Sequence, residues 1–323
     1  MQNPVKREAL KTATANSNTL QIRAEKKRWK LRENWQLYLM IAIPLSLIVI
    51  FLYVPMYGIV SAFQNYRPDL GYMHSEFVGL KWFYYLFSMP DFKEILYNTV
   101  VIALLKIFFG QLVPLVFALL LNEVTRTGYK RVIQTLVYLP HFLSWVIIGG
   151  IFIDLLSTKG IVNQILGVFG VEPIFFLGSN QWFRFTLVFT DVWKEFGWGS
   201  ILYLSALTAI DPTLYEAAVI DGAGRLKQTR YVTLPGIMPT IVLLACLSLG
   251  GILSAGFEQV LILYNPAVYK TGDILDTFMY RAGLLNAQFS LATALGLFKS
   301  GISFVLILTS YALADRFANY KIL

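Results

Sequence analysis

Three ionisable residues, Asp191, Lys194 and Glu195, interrupt the apolar stretch FTLVFTDVWKEFGWGSILYL. On a helix, spacings of three and four put Asp191 on one face with both Lys194 and Glu195. A charge at mid-bilayer costs about 2.5–3.5 kcal/mol, so these groups face either protein or water. Two readings stand side by side. The three form a self-neutralising cluster that anchors helix packing, or they line a polar passage with Trp193, Trp198 and Tyr203 close by as ring-stacking surfaces. Glu258, near the outer end of a later apolar run, is either cavity lining or an interfacial charge. His141, within YLPHFLSWVIIGG, reads as a hydrogen-bonded packing residue rather than a proton carrier.

Other chemistry is missing from the pattern. The one cysteine, Cys246, lies in an apolar run and supports neither an intrachain disulfide framework nor a cysteine metal site. The nearest approach to a phosphate loop, GLFKSG at 296–301, has the wrong spacing and sits in an apolar segment. Neither H-E-x-x-H nor a nucleophile elbow occurs, so the chain reads as no enzyme and as binding no cofactor of its own. The net charge of +8 is accounted for by the tail and loops described next, which sets nucleic acid aside.

The elements that position these residues are membrane helices. Of 323 residues 56% are hydrophobic and 14% charged, and the mean hydropathy is +0.59, which together exclude an ordinary soluble domain. Six segments are long enough to cross about 30 Å of hydrocarbon, near 37–60, 97–122, 132–155, 185–209, 237–262 and 291–313. Residues 1–35 form a basic tail with nine Lys or Arg, and Gln21 to Trp35 is suited to a helix along an anionic membrane surface. Counted by alternate loops, seventeen Lys and Arg fall on the side of the termini and seven on the other. The expectation is an all-α polytopic membrane protein, 36–323, with six transmembrane helices and both termini cytoplasmic. Small residues at four-residue spacing, Gly250 with Ser254, Gly251 with Ala255, and Ala292 with Gly296 and Ser300, predict close helix–helix seams.

The longest polar loop on the cytoplasmic side joins the fourth and fifth segments, DPTLYEAAVIDGAGRLKQTRYVTLPG at 211–236. Asp211 before Pro212 reads as an N-cap with proline at the first helical position. Gly222 and Gly224 then stop the helix. Arg225, Lys227 and Arg230 follow, then Leu234 and Pro235. The spacing predicts a helix, a bend and a second short helix at the membrane surface.

The order Glu216-Ala217-Ala218, Gly222, and then Val232, Leu234 and Pro235 resembles the EAA loop of the membrane subunits of bacterial ABC importers, and the resemblance implies that Asp221 and Arg225 belong to the same ATPase-coupling element. YLPHFLSWVIIGG, GFEQVLILYNP (256–266), DILDTFMYRAGL (273–284) and FSLATALGLFKSGI (289–302) resemble the carbohydrate-importer permeases that handle complex oligosaccharides. The likeness extends over about 34–323. It implies a multi-pass permease of the bacterial cytoplasmic membrane, whose 211–236 loop is the coupling helix that docks on a cytoplasmic ATPase. It further implies a second homologous permease, a dimer of ABC ATPases that carry the ATP and magnesium, and an extracytoplasmic solute-binding protein. The cargo is an oligosaccharide, with an acidic one open, for which Lys194 or Lys299 offers a positive partner. Asp191, Trp193, Lys194, Glu195, Trp198, Tyr203 and Glu258 are then candidates for the translocation path. The alternative is a proton-coupled secondary sugar transporter using His141, Asp191 and Glu195, which leaves the 211–236 pattern without a role.

Overall fold

The computed structural model describes residues 34–318, so the basic tail to Glu33, with most of its expected surface helix, lies outside the described residues, as does Lys321. The chain divides into two compact units, 1–59 and 60–323. Of the first, the described part is the helix Trp35–Ile48, continued by a π turn at Val49–Tyr53 and by the first residues of the 3₁₀ helix Val54–Phe63.

Among its described residues the second unit's regular structure is helical apart from two antiparallel two-residue strands, Gln64–Asn65 and Glu76–Phe77, which pair Gln64 with Phe77 and Asn65 with Glu76. Its longest members are Phe92–Asn122, the charged helix Phe183–Thr208 and the closing helix Phe289–Ala318. The first two pack along each other, and their apolar faces meet Ile148, Phe152, Val260 and Leu263 in one buried cluster built on Ile102, Phe183 and Leu187. A second cluster joins Phe92 and Ile95 to Leu275, Leu291 and Leu295.

Connections alternate between the two ends of this unit. At one end Glu123 meets Arg225. At the other, Asn98 donates to the carbonyls of Lys270 and Asp273, Arg184 reaches Asn98 and the Thr271 carbonyl, and Ser290 accepts from the Tyr66 amide.

Among the described residues four helices are long and apolar enough to cross a membrane: Trp35–Phe63, Phe92–Asn122, Arg225–Leu249 and Phe289–Ala312. The third and fifth expected spans need correction, and the fourth keeps its bounds. The third is broken into Thr127–Phe142 and Trp145–Leu155, bent by 101°, because the backbone is extended at Leu143 and Ser144, where the Ser144 hydroxyl caps the second piece. The fourth is one 26-residue helix, but its central charges keep it out of the apolar set. The fifth begins earlier and ends earlier than 237–262. It runs as a 25-residue rod from Arg225 to Leu249, and a separate helix, Phe257–Leu263, follows a break. Gly250, Gly251, Ser254 and Ala255 therefore form no helical seam. They unwind the chain, although Gly250 still lies against Ile307 of the closing helix.

Candidate functional site

Two regions carry the candidate residues, and both are set by the charged helix and its neighbours. The first is the exposed loop. The Asp211 side chain accepts from the Thr213 amide at 2.9 Å and caps Pro212–Ile220. That hydrogen bond holds the Asp211 carboxyl below the usual carboxylate range. The helix stops where the Ala223 amide reaches back to the Ala218 carbonyl and Gly222 takes φ +72°, a left-handed backbone that only glycine adopts freely. Nothing lies within 4 Å of the Cβ that a larger residue would carry there, so the requirement is conformational rather than spatial.

Beyond the bend the expected second surface helix does not stand alone. Arg225–Gln228 continues through a π turn, Thr229–Thr233, into Leu234–Leu249, so Leu234 and Pro235 lie inside the rod instead of marking its start. Tyr215 and Thr233 join loop helix to rod through their hydroxyls, 3.0 Å apart. Glu216, Ala217, Asp221, Gly222 and Arg225 are exposed, and Ala218 is half-buried. Around them Leu214, Val219, Ile220 and Leu226 turn large apolar side chains outward, the last two more than four-fifths exposed.

The second region is the set of buried charges. Lys106, from Phe92–Asn122, donates to Asp191 at 3.1 Å, to the Ala255 carbonyl at 2.8 Å, and to Gln259 Oε1. Gln259 in turn donates to the Leu187 carbonyl and to Thr190. Lys194 donates to its neighbour Glu195 at 2.7 Å and to the His141 carbonyl at 3.0 Å. His141 Nδ1 lies 2.6 Å from Glu195, and its ring stacks on Trp198. Asp191 thus pairs with Lys106 of another helix instead of with Lys194, the one cation of its own cluster. Each buried cation has found a carboxylate, which offsets part of the cost of removing both from water. Lys194 and Lys299, the expected partners of an acidic cargo, are held by Glu195 and Asp276.

Asp191 lines a polar chamber of about 250 Å³ together with Lys106, Gln111, Ser248, Ser254 and Gly256. Gln111 also borders a more apolar chamber of about 380 Å³, walled in part by Leu115, Ile241 and the Tyr203 ring. The Tyr203 hydroxyl is buried with no hydrogen-bond partner. The structure brings Asp191, Lys194, Glu195 and Trp198 to neighbouring positions. Trp193 packs edge-on against Phe152, and Glu258 is exposed and lines neither chamber. Lys106, Gln111 and Gln259 are absent from the sequence expectations. The signal for Lys106 was a lone cation in an apolar span, which needs a carboxylate from elsewhere in the fold. No periodicity names that partner.

Residues 110–319 match the family model described as binding-protein-dependent transport system inner membrane component. The chain is 45% identical over 291 residues to the polygalacturonan/rhamnogalacturonan transport system permease protein YteP of Bacillus subtilis, covering 90% of this chain and 91% of that one. It also superposes, with a TM-score of 0.83 and 38% identity, on a chain of a bacterial ABC transporter involved in import of the acidic polysaccharide alginate, covering 90% of this chain and 99% of that one. A second structure of a bacterial alginate ABC transporter, in complex with an alginate pentasaccharide-bound periplasmic protein, matches with a TM-score of 0.83 and 37% identity over 91% of this chain and 98% of that one.

Proposed function

Because this chain belongs to the family of binding-protein-dependent transport system inner membrane components and is a permease of an ABC sugar importer, we propose that its cargo is an acidic oligosaccharide. The observation that carries this reading is the likeness to two uronate-polymer systems, one found by sequence and one by structure, each covering about nine-tenths of the chain.

The assembly that fits comprises this chain, a second homologous permease, two copies of a cytoplasmic ABC ATPase and an extracytoplasmic solute-binding protein. ATP and magnesium belong to the ATPases. Six spans, with both termini in the cytoplasm and the protein in the bacterial cytoplasmic membrane, fit the charge asymmetry and the alternating connections. The charged helix Phe183–Thr208 serves as the fourth span, its ionised groups turned to protein. The reading takes 1–35 as a basic tail and 36–323 as the membrane domain.

Coupling runs through the exposed loop. ATP-driven closure of the ATPases presses on Glu216 to Gly224, whose outward apolar side chains are suited to a groove in another subunit. Glu216 and Asp221 add charge to that contact, Arg225 braces it against Glu123, and Leu234 and Pro235 carry the push into the rod. The polar chamber at Asp191 is the section of passage contributed by this chain, with Lys194, Glu195 and Trp198 beside it. Its nearby charges are mutually neutralised, so hydroxyl and amide groups meet the sugar while charge preference is set elsewhere in the assembly. The proton-coupled alternative gains no support, since Asp191, Glu195 and His141 are all engaged with partners.

The test is ATP-driven uptake of uronic-acid oligomers in proteoliposomes holding the assembled transporter and its binding protein. Wild type should import, and the double variant Glu216→Ala, Gly222→Trp should insert normally but lose stimulated ATP hydrolysis. Uptake that persists without ATP and collapses with an uncoupler would overturn the reading.

A further inference from the structure

The break in the fifth span separates two differently anchored pieces. On its near side lies the Arg225–Leu249 rod, continuous with the exposed loop and packed along the closing helix. At 1.5 Å per residue its 25 residues reach about 37 Å, enough to carry a displacement from one membrane face deep into the bilayer. On its far side lies Phe257–Leu263, buried through Val260 and Leu263 in the cluster that holds Ile148, Phe152 and Leu187.

Between them, residues 250–256 leave the helical ladder. Turn hydrogen bonds from Gly251 to Ser248 and from Ser254 to Gly251 replace it, and Gly256 adopts φ +88°. Unwound backbone at membrane depth survives only where protein or a polar cavity satisfies it. Here Lys106 satisfies one of the freed backbone groups: its ammonium donates at once to the Ala255 carbonyl, to Gln259 and to Asp191. A Cβ on residue 256 would come within 2.6 Å of that nitrogen. Gln259 then fastens the same segment to Leu187 and Thr190. Lys106 therefore ties the far side of the break to two long helices at once, and the polar chamber opens at that point.

We propose that residues 250–256 are the joint at which the movement of the exposed loop is absorbed, and that Lys106 is the positioning residue that holds the far side still while the rod moves. The chamber then changes shape because one wall, at Ser248, travels with the rod, while the wall at Lys106 and Asp191 does not. This rests on the importer reading, because it needs a partner that pushes the loop.

The test uses the assembled transporter in nanodiscs, with Cys246→Ser as background and spin labels placed pairwise at Tyr97 with Leu247 and at Tyr97 with Glu258, all exposed positions. Between the nucleotide-free and the ATP–vanadate state, the pair to Leu247 should shift by about 2 Å or more, the scale of helix shifts in such transitions, and the pair to Glu258 should hold. In Lys106→Met the Glu258 pair should move as well, and sugar imported per ATP hydrolysed should fall about tenfold, the size expected when a charge-assisted contact is lost. Equal shifts at both pairs in an actively transporting wild type overturn the joint without touching the importer reading. Absence of ATP-driven uptake by unlabelled wild type overturns both. The wild-type distances decide the matter even if Lys106→Met does not assemble.

Discussion

The imidazole of His141 lies flat on the indole of Trp198, with ring centroids 4.4 Å apart and 3° between planes, while its Nδ1 meets Glu195 at 2.6 Å. Stacking and hydrogen bond together fasten the break of the third span onto the charged helix. Stacked pairs contribute about 0.5–1.5 kcal/mol beyond their buried area. Thermal unfolding of His141→Ala, Trp198→Ala and the double variant in detergent should give a coupling energy of about 1 kcal/mol. Additive effects would mean that the two rings merely happen to be parallel.

The two glycines of the loop should respond differently. Gly222 has φ +72° whereas Gly224 has φ −69°, and both have open space around them. Gly222→Ala is therefore expected to cost about 1 kcal/mol locally and to lower ATP-coupled uptake, and Gly224→Ala to do neither to the same extent. Parallel uptake assays of the two variants check the contrast.

The apolar side chains of the loop predict a partner contact. Ile220 is 86% exposed and Leu226 85%. Ile220→Asp and Leu226→Asp should leave the permease folded, yet reduce copurification of the ATPase about tenfold or more, as loss of an interface hot spot does. Unchanged copurification would move the docking face elsewhere.

Ion pairs at different depths should differ in weight. Arg225 and Glu123 are 76% and 46% exposed, so Arg225→Ala should change stability by less than about 1 kcal/mol, and less still at high salt. Lys299 and Asp276 are 19% and 11% exposed at 2.5 Å, and Lys299→Met strands a buried carboxylate at a cost of about 3–5 kcal/mol. Lys299→Met paired with Asp276→Leu should recover much of it. Midpoints of thermal unfolding in one detergent compare all three.

The Asp211 cap gives a pH dependence whose sign follows from its lowered carboxyl. The cap is fully formed above the ordinary carboxylate range and is lost as pH falls through the lowered value. The protection of the Thr213 amide, its intrinsic exchange rate divided by the observed one, should fall in wild type as pH drops through the lowered value. In Asp211→Asn, where the cap carries no titrating group, that protection should not change with pH.

The helical, membrane-spanning class of the fold and the punctuation of the 211–236 loop were local properties, and the chain alone was enough for them. The Asp211 cap and the turn at Gly222 appear where proline and glycine put them, because backbone constraints act within a few residues. Where charges pair is a different kind of fact. Helical spacing offered Asp191 the nearby Lys194, yet 85 residues upstream Lys106 takes it, since only the packing of two long helices brings that ammonium into range. The breaks at Leu143 and at 250–256 were equally hidden: each lies within a run apolar enough on average to pass for one span, and hydropathy does not register a change of direction. Tertiary structure decided them by supplying partners for the backbone groups that the helix gave up, Lys106 for the Ala255 carbonyl and Lys194 for that of His141.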